Sequence, residues 1–342
     1  MLIPEQFPAY VVRAAGPDSI EQPVNSAVIG AASIEQLESS AMDPGDVVVR
    51  VVYSALNYKD AMASQGNPGV ARKLPLVPGI DAVGDVISSE DDRFKTGDQV
   101  LISHAKFGTA HNGGFASFVR VPGDWVYPLP EGLTVKETIT WGTAGFTAAQ
   151  SVEQLVKHDV GTDSGEVLVT GASGGVGSFA VGLLSKLGFR VVAATGKMDK
   201  KEWLKQLGAT EVVPRQQVVD TSDSALLKGR WAGVVDTVGG ETLSSAIRAA
   251  KLNACVTVCG LVGGHELHLT VYPFILRGVT LCGIDSANIS RETRVKLWDR
   301  IGTEWKFDLT RILKEVDFDK LPNEIENILA GQSCGRTIIK MP

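Results

Sequence analysis

The stretch VLVTGASGGVGSFAVGLLSKLG (167–188) restricts the fold more than any other part of this chain. An apolar run ends at Thr170, glycines follow at 171, 174, 175 and 177, and apolar residues then recur at helical spacing. Glycine permits the tight turn and lets the backbone approach a pyrophosphate, while the helix start supplies N–H groups and partial positive charge. The spacing G-x-x-G-G-x-G departs from G-x-G-x-x-G, yet strand, loop and helix occur in the order a dinucleotide site requires. The competing reading is a glycine-rich turn with no ligand. No G-x-x-x-x-G-K-[ST] run is present, which argues against ATP hydrolysis.

The following strand ends in AATGKMDKK. A site for NAD wants a carboxylate there for the ribose 2′-hydroxyl. Thr195, Gly196 and Lys197 stand in that place, and the first acid is Asp199. Arg215, just past the next strand in VVPRQ, is a second cation for a 2′-phosphate, although the sequence alone does not bring it to the spot. The missing acid favours NADP.

The chain's 342 residues exceed one comfortable core and predict two domains. Short β-branched runs separated by Gly, Pro and Asp fill the first third: 46–55, 82–89, 98–104 and 115–122. They predict a compact, partly open barrel. From about residue 128, apolar strands alternate with helices: 166–171, 175–187, 189–196, 199–207, 211–214, 232–239, 241–250, 254–260 and 279–285. That alternation implies a parallel sheet covered on both faces. A helical pattern at 290–301 and an apolar run at 335–342 close the chain. The expected architecture is α/β, a doubly wound parallel-sheet (Rossmann) domain at 128–288 inserted in a barrel-like domain made of 1–127 and 289–342.

The net charge is −6 with both signs interspersed, so nucleic acid is not the expected partner. No stretch reaches the ~20 apolar residues of a membrane span. The opening MLIPEQFPAY has neither a basic nor an apolar leader region, so no secretory signal is expected and the cytoplasm is the predicted location. Cys255, Cys259, Cys282 and Cys334 form no CxxC pair and read as small buried residues in a reducing compartment. His104 and His111 read as loop or strand histidines. The strand at 277–285, RGVTLCGID, reads as the last of the parallel sheet, and a long edge of this kind is normally paired. A homodimer is therefore expected.

SALNYKDAM (54–62) has two readings. As a turn, Asn57 caps a short helix, Asp60 falls at N3 and Gly66 closes it. That leaves Lys59 opposing the helix dipole and places the phenol of Tyr58 at a helix start. The other reading is a cap that also presents Tyr58 to a site.

The whole chain resembles the zinc-free medium-chain dehydrogenases/reductases, through PLVPGIDAVGDV (75–86), FKTGDQV (94–100), GTAGFTA (142–148), VTGASGGVG (169–177) and LKQLGA (204–209). SALNYKDAM, PGIDAVG, DTVGG, PFILRGVTLCGIDS and GRTIIK look most like the acrylyl-coenzyme A reductases, whose relatives include quinone oxidoreductases. The resemblance implies a GroES-like barrel domain, NADPH as cofactor, and hydride addition to an α,β-unsaturated thioester. It implies that Tyr58 and Asn57 serve catalysis and that Tyr58 contacts the nicotinamide. It also implies an NADP site lined by Gly171, Ser173, Gly174, Gly175, Val176, Thr195, Gly196, Lys197, Arg215, Leu261, Ile275 and Ser286. The zinc branch would have Cys near 57 and Gly-His-Glu near 79; here stand Asn57 and Gly79-Ile80-Asp81, so no metal is expected. Reduction of a quinone or small enone, and NADPH binding without catalysis, remain alternatives. Arg72 and Lys73 are candidates for coenzyme A phosphates, or simply solvated loop cations.

Overall fold

The computed structural model describes residues 3–14 and 30–342. The chain packs into two compact units, Met1–Thr143 with Leu313–Pro342, and Ala144–Ile312.

In the first unit, β1 (Gln6–Ala14) and β2 (Gly30–Glu38) form an antiparallel ribbon, with Gln6 opposite Glu38 and Ala14 opposite Gly30. β3 (Val47–Ala55) leads into the short helix α1 (Tyr58–Ser64). β4 (Ala82–Ser89), β5 (Gln99–Ile102), β6 (Phe118–Val121) and β7 (Val126–Pro128) follow. β3 pairs antiparallel with both β4 and β6. Alternate side chains of these strands, among them Val49, Val51, Val100, Val119 and Val121, enclose a core with Phe7, Phe107 and Phe115.

Helix α2 (Val135–Lys157) is broken at Gly142, whose φ of 42° and ψ of −152° leave the helical region. A β-carbon there would stand 2.5 Å from Arg336 Nη2 and 2.9 Å from Asp81 Oδ2, so only glycine fits against that ion pair.

The second unit alternates as its pattern predicts. β8 (Glu166–Val169), α3 (Gly175–Lys186), β9 (Arg190–Thr195), α4 (Lys201–Gln206) and β10 (Glu211–Pro214) form one half. β11 (Trp231–Asp236), α5 (Gly240–Arg248), β12 (Ala250–Val258), α6 (Tyr272–Arg277), β13 (Thr280–Gly283) and α7 (Arg291–Gly302) form the other. The parallel sheet runs β10-β9-β8-β11-β12-β13. Strand order reverses between β8 and β11, the switch point where open α/β sheets bind ligands. β13 is an edge strand, as its sequence implies.

The chain then returns to the first unit. β14 (Leu313–Asp317) pairs with β15 (Arg336–Lys340), with α8 (Leu321–Leu329) between them. β15 runs antiparallel to β3. The path β14-β15-β3-β4-β5-β7 does not close on itself, which gives the partly open barrel.

The packing units divide at 143/144 and 312/313 rather than at 127/128 and 288/289. Gly142 and Thr143 stay with the first unit because Thr143 bonds Asp81 through both its N–H and its hydroxyl. α7 groups with the second because Trp298 packs on Phe146 at 5.5 Å, and Arg294 lies over the same ring and donates to the Ser286 and Ala287 carbonyls.

Candidate active site

At the switch point, the loop after β8 turns back on itself: the Gly174 N–H bonds the Gly171 carbonyl at 2.9 Å. α3 then starts at Gly175 with no side-chain cap, which leaves its first N–H groups to whatever lies at its N-terminus. Gly177 permits the close turn, since a β-carbon there would be 2.3 Å from the Gly171 oxygen. Buried Phe179, Val181, Leu183 and Leu184 then anchor α3, each contributing roughly 1.5–3 kcal/mol of burial. Beside the loop, Asp236 at the end of β11 is fully buried, and that burial raises its pKa. It accepts from the Thr170 hydroxyl (2.7 Å) and from the N–H groups of Val238 (3.2 Å) and Gly239 (2.7 Å), which pins the two crossover loops together.

The end of β9 carries Thr195, Gly196 and Lys197. Ser173 Oγ and Thr195 Oγ1 share a hydrogen bond of 2.9 Å, and the Lys197 N–H donates to Thr195 Oγ1 at 3.0 Å. The exposed Arg215 side chain, carried on the turn after β10, reaches the same place: its Cζ and Nε lie 3.3 Å from where a Gly196 β-carbon would stand. Ser173, Thr195, Gly196, Lys197 and Arg215 are thus gathered at the strand end. The first acid, Asp199, points to an ion pair with Lys200 at 3.1 Å. Leu261 lies against Gly239, and Ser286 accepts from Thr147 Oγ1 at 2.9 Å. Ile275 sits on α6 and is 67% exposed. The glycine cradle, the uncapped helix and the basic strand end fit a dinucleotide phosphate.

In the first unit, Asn57 is the N-cap of α1, and Tyr58 at its first position is 41% exposed. Gly66, at φ 68°, follows the helix end as the sequence implies. The cap is part of a buried ionic network. Asp60 is fully buried. It accepts from Asn57 N (2.8 Å), Asn57 Nδ2 (3.0 Å), Gly79 N (3.1 Å) and Ile80 N (2.8 Å). Burial, and after it the neighbouring Asp81 carboxylate, push Asp60 up to about 6, against the pull of these donors. Asn57 Nδ2 also donates to Asp81 Oδ2 at 2.9 Å. Arg336, 1% exposed, donates to Asp81 Oδ2 (2.7 Å), Asn57 Oδ1 (2.8 Å), and the Leu56 (2.9 Å) and Thr140 (3.2 Å) carbonyls. Both polar atoms of the Asn57 side chain are therefore spent inside the unit.

The sequence reading missed Arg336 and Asp81 as members of this constellation. The available signal was a guanidinium opening the apolar run RTIIK, and a carboxylate between Ile80 and Ala82. Neither belongs on a buried face without a partner.

The positions where the zinc branch has its ligands hold Asn57, Gly79, Ile80 and Asp81, with Asn57 and Asp81 tied to Arg336. Those residues do not fit a catalytic zinc. His104 stacks on Trp125 at 4.2 Å, and His111 bonds the Asn112 and Pro44 carbonyls. All four cysteines are free thiols, and burial pushes Cys255 and Cys259 up to about 12. Lys73 pairs with Asp43 at 2.5 Å, while Arg72 is exposed. No helix among the described residues is long and apolar enough to cross a membrane.

Residues 43–131 match the family model for the alcohol dehydrogenase GroES-like domain, and residues 175–302 the model for zinc-binding dehydrogenase. The chain is 43% identical over 310 residues to "Putative quinone oxidoreductase YhfP" of Bacillus subtilis (strain 168), covering 90% of this chain and 94% of that one. A crystal structure of the Bacillus subtilis protein with NAD bound has a TM-score of 0.90 at 40% identity, covering 98% and 99% of the two chains. The chain is 41% identical over 309 residues to an acrylyl-CoA reductase of Ruegeria pomeroyi, covering 90% of this chain and 94% of that one. A crystal structure of a Salmonella enterica oxidoreductase in complex with NADP has a TM-score of 0.91 at 38% identity, covering 98% of this chain and all of that one. With likeness of this extent, and with no ligand set where the zinc branch has one, the chain belongs to the zinc-free medium-chain dehydrogenases/reductases, in the branch of the acrylyl-CoA reductases and their quinone oxidoreductase relatives.

Proposed function

We propose that this protein reduces the activated C=C bond of an α,β-unsaturated thioester, acrylyl-CoA to propionyl-CoA, with NADPH. The observation that carries the reading is the end of β9. Gly196, between Thr195 and Lys197, meets the Arg215 guanidinium there, where an NAD site would have a carboxylate. The thioester follows from 41% identity, along nearly the whole chain, to an acrylyl-CoA reductase.

NADPH, when bound, supplies the hydride that adds to the β-carbon. The N–H groups of the 171–177 loop and the start of α3 bind its pyrophosphate, and Arg215 and Lys197 its 2′-phosphate. Hydride addition leaves negative charge on the thioester oxygen, which a phenol O–H stabilises by donating to it. Tyr58 is that donor. Asn57, whose amide is spent on Asp60, Asp81 and Arg336, holds the start of α1 and so positions Tyr58 rather than touching substrate. A proton delivered to the α-carbon, with water as the donor, completes the reduction.

We further propose that the protein is a homodimer of the cytoplasm. β13 is an open sheet edge, and beside it α6 exposes Tyr272, Ile275 and Leu276, a face that a second copy covers. Four free thiols suit a reducing compartment.

The test is NADPH oxidation measured with acrylyl-CoA beside a simple quinone. Faster turnover of the thioester is expected. Equal or faster quinone turnover would overturn the thioester reading, and no turnover of either would reduce the protein to an NADPH binder.

A further inference from the structure

The sequence scatters His158, Cys255 and Cys282, and the fold brings them together. Cys255 lies on β12 and Cys282 on the adjacent edge strand β13, with their side chains on one face of the sheet. His158 follows the last residue of α2 and packs over that face. Cys255 Sγ and Cys282 Sγ are 3.9 Å apart, and Cys282 Sγ is 4.0 Å from His158 Nε2. All three ligand atoms lie within 4.8 Å of one another, and no other such trio occurs among the described residues. None of the three belongs to the coenzyme loop or to the Tyr58 helix.

Two features distinguish this trio from ordinary packing. The first is the protonation of the imidazole. His158 Nδ1 is 2.9 Å from the Gln154 carbonyl, which can only accept, so Nδ1 carries the proton. Nε2 is then the lone-pair nitrogen, and it is the atom that faces the thiols. A carbonyl fixing one ring nitrogen so that the other can ligate is the usual support of a metal-bound histidine.

The second is the spacing. A tetrahedral ion with bonds of about 2.3 Å to sulfur and 2.0–2.1 Å to nitrogen holds its two sulfurs about 3.8 Å apart, and a sulfur and nitrogen about 3.6 Å apart. The observed 3.9 and 4.0 Å separations need shifts of a few tenths of an ångström to match, and the Cys255–His158 pair, within 4.8 Å, needs at most about one ångström. A disulfide fits far less well. Cys255 pairs with Thr280 and Cys282 with Thr257, so the two cysteines are two residues out of register. Two residues along a strand and one strand across put their Cα atoms roughly 8 Å apart, beyond the ~7 Å a disulfide spans.

We propose that His158, Cys255 and Cys282 form a binding site for a thiophilic d10 ion, zinc(II) by class, separate from the position of the family's catalytic metal. Two thiolates and an imidazole select soft ions over magnesium or calcium. His158 and Cys282 are only half-buried, so solvent fills the fourth position. The ion joins the end of α2 to the edge strand β13, a few residues before Ser286.

Cobalt(II) titration of the purified, metal-free chain under reducing conditions tests the site. Expected are one cobalt per chain, a thiolate-to-cobalt charge-transfer band, the visible bands of a tetrahedral ion, and displacement by zinc with a rise in Tm. His158→Gln, a half-buried change that leaves the sheet intact, should weaken cobalt binding at least 10–100-fold. Cys282→Ser should cut the charge-transfer intensity at least by half, and Cys334→Ser should leave it unchanged. Absence of the charge-transfer band in the parent, or a band equally strong in His158→Gln and Cys282→Ser, would overturn the proposal. So would a Cys255–Cys282 disulfide found by mass spectrometry of the protein as isolated.

Discussion

Arg336 is the residue whose loss should cost the first unit most. Its guanidinium is buried and donates four hydrogen bonds, to Asp81, Asn57, and the Leu56 and Thr140 carbonyls. In Arg336→Met the stem is replaced but the charge is gone. Asp81 keeps three donors, from Asn57 Nδ2 and from Thr143 N and Oγ1, so its carboxylate is not stripped bare. Breaking a buried pair on one side typically costs about 3–5 kcal/mol, because the remaining charge stays desolvated. The remaining donors on Asp81 argue for the lower part of that range, and the two orphaned carbonyls for the upper part. At about 2–4 °C per kcal/mol for a unit of this size, Tm should fall by roughly 6–20 °C. Urea unfolding followed by circular dichroism gives the free energy directly. The double variant Arg336→Met/Asp81→Asn should lose less than the two single losses added together, by about 1–3 kcal/mol, since it removes the stranded charge as well. A loss under about 1 kcal/mol in Arg336→Met, or strict additivity in the double variant, would show that the network holds no desolvated charge.

Replacing Lys197 and Arg215 with alanine should raise the KM for NADPH and spare NADH. Arg215 is exposed, so its bond belongs at the weak end of about 1.5–3 kcal/mol, roughly a tenfold change; equal losses for the two coenzymes would contradict the 2′-phosphate assignment. Tyr58→Phe should leave Tm unchanged, because the residue is 41% exposed and the ring stays in place. Its turnover should fall by about 10- to 100-fold, and unchanged turnover would remove the hydroxyl from the mechanism. The 13C carboxyl shift of Asp60 should titrate with a midpoint near 6. A folded-state pKa raised above the unfolded 3.8 means that the native state holds its proton more tightly between those values. Stability should therefore fall as pH rises through that window, by on the order of 1 kcal/mol from pH 5 upward; a midpoint below 4 would show that the four N–H donors outweigh burial. Sedimentation should give twice the 36.3 kDa chain mass at micromolar concentration, and a monomer would leave β13 an unpaired edge.

The parallel-sheet unit was legible because its signals are local. Each strand is a short apolar run, each helix begins just after a glycine or a turn, and β10 falls on the residues its pattern marks. The β1–β2 ribbon was not read, since GAASIEQLE looks as helical as it does extended, and only its pairing with β1 decides. Arg215 could be suspected from sequence but not placed, because the turn after β10 is what carries it to Gly196. Asn57 was legible as a cap, yet its partner Arg336 lies 279 residues away, and no spacing rule reaches that far. The cysteines read as buried small residues, which holds for Cys255, whereas Cys259, Cys282 and Cys334 are half-buried. Their proximity to His158 depends on the register of β12 against β13 and on where α2 ends, and both are tertiary facts.

A buried ionic network is an expensive way to stabilise a fold, since well-packed apolar side chains of similar volume do as well or better. What such a network supplies is position. Asp60 is gripped by donors from Asn57, Gly79 and Ile80; Asp81 by Asn57, Thr143 and Arg336; and Asn57 by Arg336 from the last strand. Three separate segments, 79–81, Thr143 and the strand that carries Arg336, therefore converge on the first turn of α1. An error of even half an ångström there would break several short hydrogen bonds at once, so the start of the helix has one placement. Tyr58 stands at that start with its ring exposed and makes no demand on the core. The zinc branch sets its site by ligand geometry around an ion. Here fixed charges and backbone donors set the start of α1, and a single phenol carried on that rigid mount can act as an electrophile with little reorganisation.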